Sequence, residues 1–255
     1  MGLSGRTALV LGGTRGLGHA CAKALAAEGV QILINGRDQT VGEAVAAEIP
    51  GARFIAGDVG DDEGRDALIS AVPKSAMPDI VVTNAGGPPA GQFADTDIGM
   101  WRRAFESSVA GPLEIVREFL PSMRSRRYGR IINITSFVVK ELYPNMSLSN
   151  SMRVGLTGAM GALAREVAAD GVTVNGILPG LMDTGALQRV IQDRMKRTGQ
   201  SEAEVRAAMA GSIPMARLGT AADFGPLCAF LASPYASYIT GQNICVDGGL
   251  TKNVI

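Results

Sequence analysis

Histidine is almost missing from this chain: His19 is the only one in 255 residues. That removes the usual material for a His-based metal site or a Ser/His/Asp triad, and His19 itself falls at a predicted helix start. Cysteine is scarce too. Cys21, Cys228 and Cys245 form no CxxC or other metal-ligand spacing and have apolar flanks. This pattern predicts buried, reduced thiols, no disulfide framework and no metal centre. Neither sign of charge is in excess, since 24 basic side chains balance 24 acidic ones. The chain therefore offers no electrostatic footprint for nucleic acid. No run of eighteen apolar residues occurs, which excludes a membrane-spanning helix on length. Met1 to Arg6 hold no charged leader followed by an apolar stretch and a small-residue cleavage site, so a cytoplasmic protein is expected.

What the chain has is alternation. Hydrophobic residues make up 46% and charged ones 19%, enough for one large core, and a single domain spanning 1–255 is expected. Apolar runs of strand length stand at 7–11, 30–34, 53–56, 80–83, 130–134, 172–177 and 242–246. Between them lie helical patterns at 16–28, 40–48, 63–72, 97–125, 149–169 and 221–232. Turn signals at Gly29, Asn35-Gly36, Pro50-Gly51 and Asp170-Gly171 separate the elements. Strands alternating with helices predict an α/β fold, a doubly wound seven-stranded parallel sheet with helices on both faces. Residues 185–215 carry two helical stretches where a crossover needs one. Leu187, Val190, Ile191 and Met195 share a face there, and the segment reads as a lid over the strand ends.

After the first strand comes Gly12-Gly13-Thr14-Arg15-Gly16-Leu17-Gly18, then an apolar helix. Glycine permits a tight turn and close backbone approach, and a helix N-terminus offers unpaired N–H groups to a pyrophosphate. The Gly-xxx-Gly-x-Gly spacing is joined in order by Asp58-Val59, Asn84-Ala85-Gly86, Asn133-Ile134-Thr135-Ser136, Pro179-Gly180 with Thr184, and Asp247-Gly248-Gly249. Over almost its whole length the chain resembles the short-chain dehydrogenase/reductase family, and within it the 3-oxoacyl-carrier-protein reductase-like branch. The resemblance implies a single-domain Rossmann fold. It assigns Asp58 and Val59 to the adenine, Asn84, Ala85 and Gly86 to the adenosine side, and Pro179, Gly180 and Thr184 to the nicotinamide border. Asp58, Asn84 and Thr184 also suit plain turn or capping roles. It implies a homo-oligomer as well, dimer or tetramer, joined through the helices containing Gly111 and 149–169, the last strand and the tail.

An acidic residue ending the second strand would bind the adenosine ribose and repel a 2′-phosphate. Here that position is Gly36, followed by Arg37, with Arg15 in the glycine loop, so the expected cofactor is NADP(H).

The family's ketone/alcohol chemistry uses Ser, then Tyr-xxx-Lys starting thirteen positions later, plus Asn on the preceding helix. Ser136 matches the serine, but the tyrosine position holds Ser149, the lysine position Arg153 and the Asn position Ser108. A serine hydroxyl is far less acidic than a phenol, and a guanidinium does not readily lose its proton. Arg153 remains fit to hold the nicotinamide ribose. Tyr143, six residues before Ser149, is an alternative acid or a contact residue. Ser136, Ser149 and water form an alternative oxyanion site. Met146, Met152, Met182, Met195, Met209 and Met215 fall in segments expected around the cleft and suggest an apolar or acyl small-molecule substrate; ordinary core packing is the competing role. Two functions follow from these residues. One is an NADP(H)-dependent oxidoreductase of carbonyl compounds with a non-standard proton donor. The other is an NADP(H)-binding homologue with little or no turnover, acting as sensor or assembly partner.

Overall fold

All seven predicted strands join one sheet in the computed structural model, which describes residues 1–252. They are β1 (Thr7–Val10), β2 (Gln31–Gly36), β3 (Arg53–Ala56), β4 (Ile80–Thr83), β5 (Gly129–Ile134), β6 (Val172–Pro179) and β7 (Asn243–Val246). Their spatial order is β3-β2-β1-β4-β5-β6-β7 and every pairing is parallel. Side chains alternate between faces along each strand, which explains the two cores. Val10, Ile34, Val82 and Ile132 face Cys21 and Leu25 of α1 (Gly16–Ala27) and Phe224 and Cys228 of α9 (Ala221–Ala232). Their neighbours Leu9, Leu33, Val81 and Ile131 face Leu68 of α3 (Asp62–Ala71), Phe119 of α5 (Gly111–Ser125) and Met160 of α6 (Ser147–Val167). A strand with both faces covered is buried at successive positions, and β1, β4 and β5 are, with Arg130 and Asn133 the polar exceptions in β5. This is the doubly wound Rossmann arrangement. Its strand order reverses between β1 and β4, where such sheets open a crevice at the carboxyl ends of the strands.

Aspartates start several helices. Asp38 caps α2 (Gln39–Ala47), Asp61 caps α3 and Asp97 caps α4 (Ile98–Phe105), each accepting a first-turn N–H at 3.0, 2.7 and 2.8 Å. α7 (Gly185–Thr198) and α8 (Glu202–Gly211) pack on each other through Leu187, Ile191, Val205 and Met209, a small core of their own. Val190, expected on that face, is exposed. Among the described residues no helix is long and apolar enough to cross a membrane.

Three expectations are corrected. Asn35-Gly36 is no turn but the end of β2, because the Asn35 amide is consumed inside the sheet, donating to the Ile55 and Gly57 carbonyls at 3.2 and 3.0 Å. The helix expected over 97–125 is interrupted: α4 passes through a wide five-residue π-turn, Glu106–Ala110, before α5 begins. There the backbone at Gly111 meets the carbonyl of Val59 so closely that a Cβ would lie 2.1 Å from its oxygen. Cys245 is only half-buried, unlike Cys21 and Cys228, because β7 is an edge strand. The last three residues of the tail, expected to assist assembly, lie outside the described residues.

Candidate active site

The glycine loop sits at the reversal point. Gly12 and Gly16 hold φ of +56° and +57°, left-handed values that glycine tolerates best. Gly18 is required by space: its Cβ would lie 2.4 Å from the Gly12 carbonyl oxygen and 2.9 Å from Asn84 Nδ2. Asn84, at the end of β4, donates from Nδ2 to the same Gly12 oxygen at 3.3 Å. Loop and β4 terminus are thereby locked into one cradle. Arg15 stands at the N-cap of α1, and no side chain accepts from the first turn, whose N–H groups stay available to an anion. Thr14 lies beside Gly36, where a Cβ would come 2.7 Å from its methyl. Leu17 turns back into the core of the α1 face. The loop residues thus fit a dinucleotide pyrophosphate.

Beyond the ends of β2 and β3, Asp58 Oδ1 accepts the Gly60 N–H at 2.9 Å, a turn bond, while Oδ2 lies 3.4 Å from Arg37 Nη1. Both side chains are well exposed, so this ion pair is weak and leaves Arg37 able to turn to a stronger anion. Arg15 is exposed as well. The Val59 carbonyl accepts from Arg65 at 3.0 Å. Ala85 and Gly86 follow Asn84 along the cleft, with no atom within 4 Å of a Cβ at Gly86. Pro179 ends β6, Gly180 packs on Asp247, and Thr184 precedes α7 without a side-chain capping bond, its hydroxyl donating to the Met182 carbonyl at 3.4 Å and its methyl near Gly16.

The residues expected at the catalytic positions gather around Arg153. Its Nε donates to Ser149 Oγ at 3.0 Å and its Nη1 to the Thr135 carbonyl. Ser149 is 3% exposed, and both it and Arg153 lie on α6, one turn apart, hence on one face. Loss of solvent around the guanidinium lowers Arg153 from its ordinary value to about 10, which leaves it cationic at neutral pH. Among the described residues no carboxylate forms an ion pair with it. Ser136, capping the turn after β5, accepts the Val138 N–H at 3.4 Å. Ser108 rides the π-turn, buried, its Oγ without a hydrogen-bond partner, as is Thr135 Oγ1. Thr83, Asn84, Ser108, Thr135 and Arg153 line one water-sized cavity.

Tyr143 stands apart. Its ring packs edge-on against Phe137, 5.8 Å between centroids, and is half-exposed. Its carbonyl, not its hydroxyl, takes the bond from Asn150 at 2.9 Å. The methionines divide by position: Met182, Met209, Met195 and Met152 pack into cores, whereas Met215 is exposed. Sequence reasoning missed Thr135, whose carbonyl anchors Arg153, and Arg65, which grips the π-turn. Arg65 is buried in α3 and meets Glu114 at 2.5 Å, Glu106 at 3.5 Å and Asp62. A charged residue on an apolar helix face was the available signal.

Comparison with known proteins agrees with this geometry. A family model described as enoyl-(acyl carrier protein) reductase matches residues 12–251. The chain belongs to the short-chain dehydrogenase/reductase family. Among its relatives is the NADPH-dependent reductase BacG of Bacillus subtilis, 31% identical over 99% of this chain and 100% of BacG. The 3-oxoacyl-[acyl-carrier-protein] reductase FabG of Haemophilus influenzae is 32% identical over 97% of this chain and 99% of its own. This places the chain in the 3-oxoacyl reductase-like part of the short-chain dehydrogenase/reductase family. The crystal structure of L-sorbose reductase from Gluconobacter frateurii with NADPH and L-sorbose superposes with a TM-score of 0.94 at 28% identity, covering 99% of both chains. Ser136, Ser149, Arg153 and Ser108 are the residues that the spacing in the sequence sets against the family's serine, tyrosine, lysine and asparagine.

Proposed function

We propose that this protein is a cytoplasmic NADP(H)-dependent oxidoreductase that reduces a carbonyl compound with an apolar or acyl body. The observation that carries the reading is the cradle of Gly12, Gly18 and Asn84 over the uncapped first turn of α1. Gly12, Thr14, Arg15, Gly16, Leu17 and Gly18 hold the pyrophosphate, with Arg15 and Arg37 meeting the 2′-phosphate. Asp58 and Val59 border the adenine, and Asn84, Ala85 and Gly86 the adenosine side. Pro179, Gly180 and Thr184 flank the nicotinamide, which when bound supplies hydride. α7 and α8 form the lid, and Arg206 of α8 reaches Asp183, just beyond β6, at 3.0 Å and donates to Gln188 of α7 at 2.6 Å.

Arg153 takes the place of the lysine: its unused N–H donors hold the nicotinamide ribose, and its charge supports a carbonyl oxygen polarised by Ser136 and Ser149. With no phenol at position 149, the proton comes from water through Ser149 or from Tyr143. The burial of Ser149 favours a second reading, an NADP(H)-binding homologue with little turnover.

Ser149→Tyr combined with Arg153→Lys separates the two. A reductase frame gains general ketone reduction, by the 10²–10⁴-fold a positioned acid contributes. A variant that binds NADPH, followed by fluorescence titration, yet shows no turnover supports the binding protein instead.

A further inference from the structure

We infer that Arg65 is a positioning residue that couples the two ends of the cofactor cleft: the 2′-phosphoadenosine end, once filled, fixes the π-turn that carries Ser108 into the cavity beside Arg153. This goes beyond the proposed function and rests on its placing of the adenine against Asp58 and Val59.

The loop 58–60 has no room to move alone. On one side it meets α3, where a Cβ at Gly64 would lie 2.2 Å from the Asp58 carbonyl oxygen. On the other it meets the π-turn and the start of α5. A Cβ at Gly111 would lie 2.1 Å from the Val59 carbonyl oxygen, and one at Gly60 would lie 3.4 Å from Ser107 Cβ. Backbone packed this closely passes a displacement on rather than absorbing it.

Arg65 joins the same bodies with one guanidinium. Its Nη1 donates to the Val59 carbonyl at 3.0 Å, on the loop. Its Nε lies 2.5 Å from Glu114 and its Nη2 3.5 Å from Glu106, so the two carboxylates are taken from either side of Ser108 in the chain. Asp62, in the first turn of α3, pairs with Nη2 as well. The side chain is buried and its planar fork has every edge engaged, which holds it in one orientation. A lysine could serve one of these partners but has no fork to span them.

The π-turn is an element with two arrangements. The Gly111 N–H bonds to the Glu106 carbonyl five residues back, one residue more than an α-turn encloses. Returning that residue to an α-turn would rotate Ser108 by about 100° around the helix axis, the step between successive helical residues. Ser108 would then leave the cavity that it lines with Thr83, Asn84, Thr135 and Arg153. Its Oγ is buried there without a hydrogen-bond partner, an arrangement that costs free energy and is held from outside by the Val59 contact and the Arg65 fork. Filling the adenine site sets the 58–60 loop in one position, and Arg65 carries that position to Ser108.

Adenosine 2′,5′-bisphosphate, the part of NADP(H) without the nicotinamide half, is the probe, its binding followed by calorimetry and its effect by amide hydrogen exchange. At saturation, exchange should slow in the glycine loop 12–18 and, by about threefold or more, at 105–111. Arg65→Lys keeps the charge and gives up the fork, so the effect at 105–111 should fall by about half or more, and it should vanish in Arg65→Met. Binding and the slowing at 12–18 are expected to persist in both variants. An Arg65 that merely holds the fold together would alter resting exchange at 105–111 and leave it indifferent to the probe. Slowing confined to 12–18 in the parent, or undiminished at 105–111 in either variant, overturns the inference. A probe that does not bind at all overturns the underlying nucleotide site instead.

Discussion

At the scale of single residues, charge and its absence decide most of what the site can do. Gly36 ends β2 without a carboxylate, and beside it Arg37 holds Asp58 only loosely at 3.4 Å. An exposed pair of this kind is worth well under the charge-assisted bonds that a phosphate offers the same guanidinium. Arg37→Ala should therefore weaken NADPH binding about tenfold, near 1.4 kcal/mol, while NADH binding stays unchanged; fluorescence titration of both nucleotides measures it. Equal losses for both would place Arg37 away from the 2′-phosphate. Cofactor preference was legible in the sequence because it depends on residue type at one strand end. The partner Asp58 was not, since a separation of 21 positions hides that both follow the ends of adjacent strands.

Among elements, the π-turn between α4 and α5 matters most. It places Ser108 in the site cavity, and Arg65 of α3 clamps it through Glu106 and Glu114 at 3.5 and 2.5 Å. Removing one acid leaves a buried guanidinium with less compensation, although the partly exposed carboxylates and the remaining Asp62 contact moderate the cost. Glu114→Gln should lower stability by about 1–2 kcal/mol, a fall in Tm of roughly 2–8 °C by thermal unfolding. A Tm within 1 °C of the parent, as expected of an ordinary surface pair, would deny the clamp. The helix itself was foreseeable from periodicity over 97–125. Its interruption was not, because the cause is the Val59 carbonyl against Gly111, a contact between segments 52 residues apart.

For the whole molecule, the open question is assembly. α6 presents Gly155 and Gly158 to open space, and Val154 between the buried turns is exposed. Small residues and an exposed valine on one long helix suit the close approach of a second copy, which is where the family resemblance puts the contact. Sedimentation velocity should find a dimer or tetramer, and Gly158→Glu should reduce the species to a smaller one by setting like charges against each other. A parent that sediments as a monomer would remove this face from consideration.

The sequence by itself determined the parallel sheet and the phosphate loop, since these depend on local residue type: apolar runs buried on both faces and glycines before a helix. Only the tertiary structure decided which groups meet. The anchoring of Arg153 on the Thr135 carbonyl, the paired use of Ser149 and the Arg65 clamp all arise where crossovers return distant segments to neighbouring strand ends. The direction of the hydrogen bonds at Ser136 and Ser149 exists only once those ends are fixed in space.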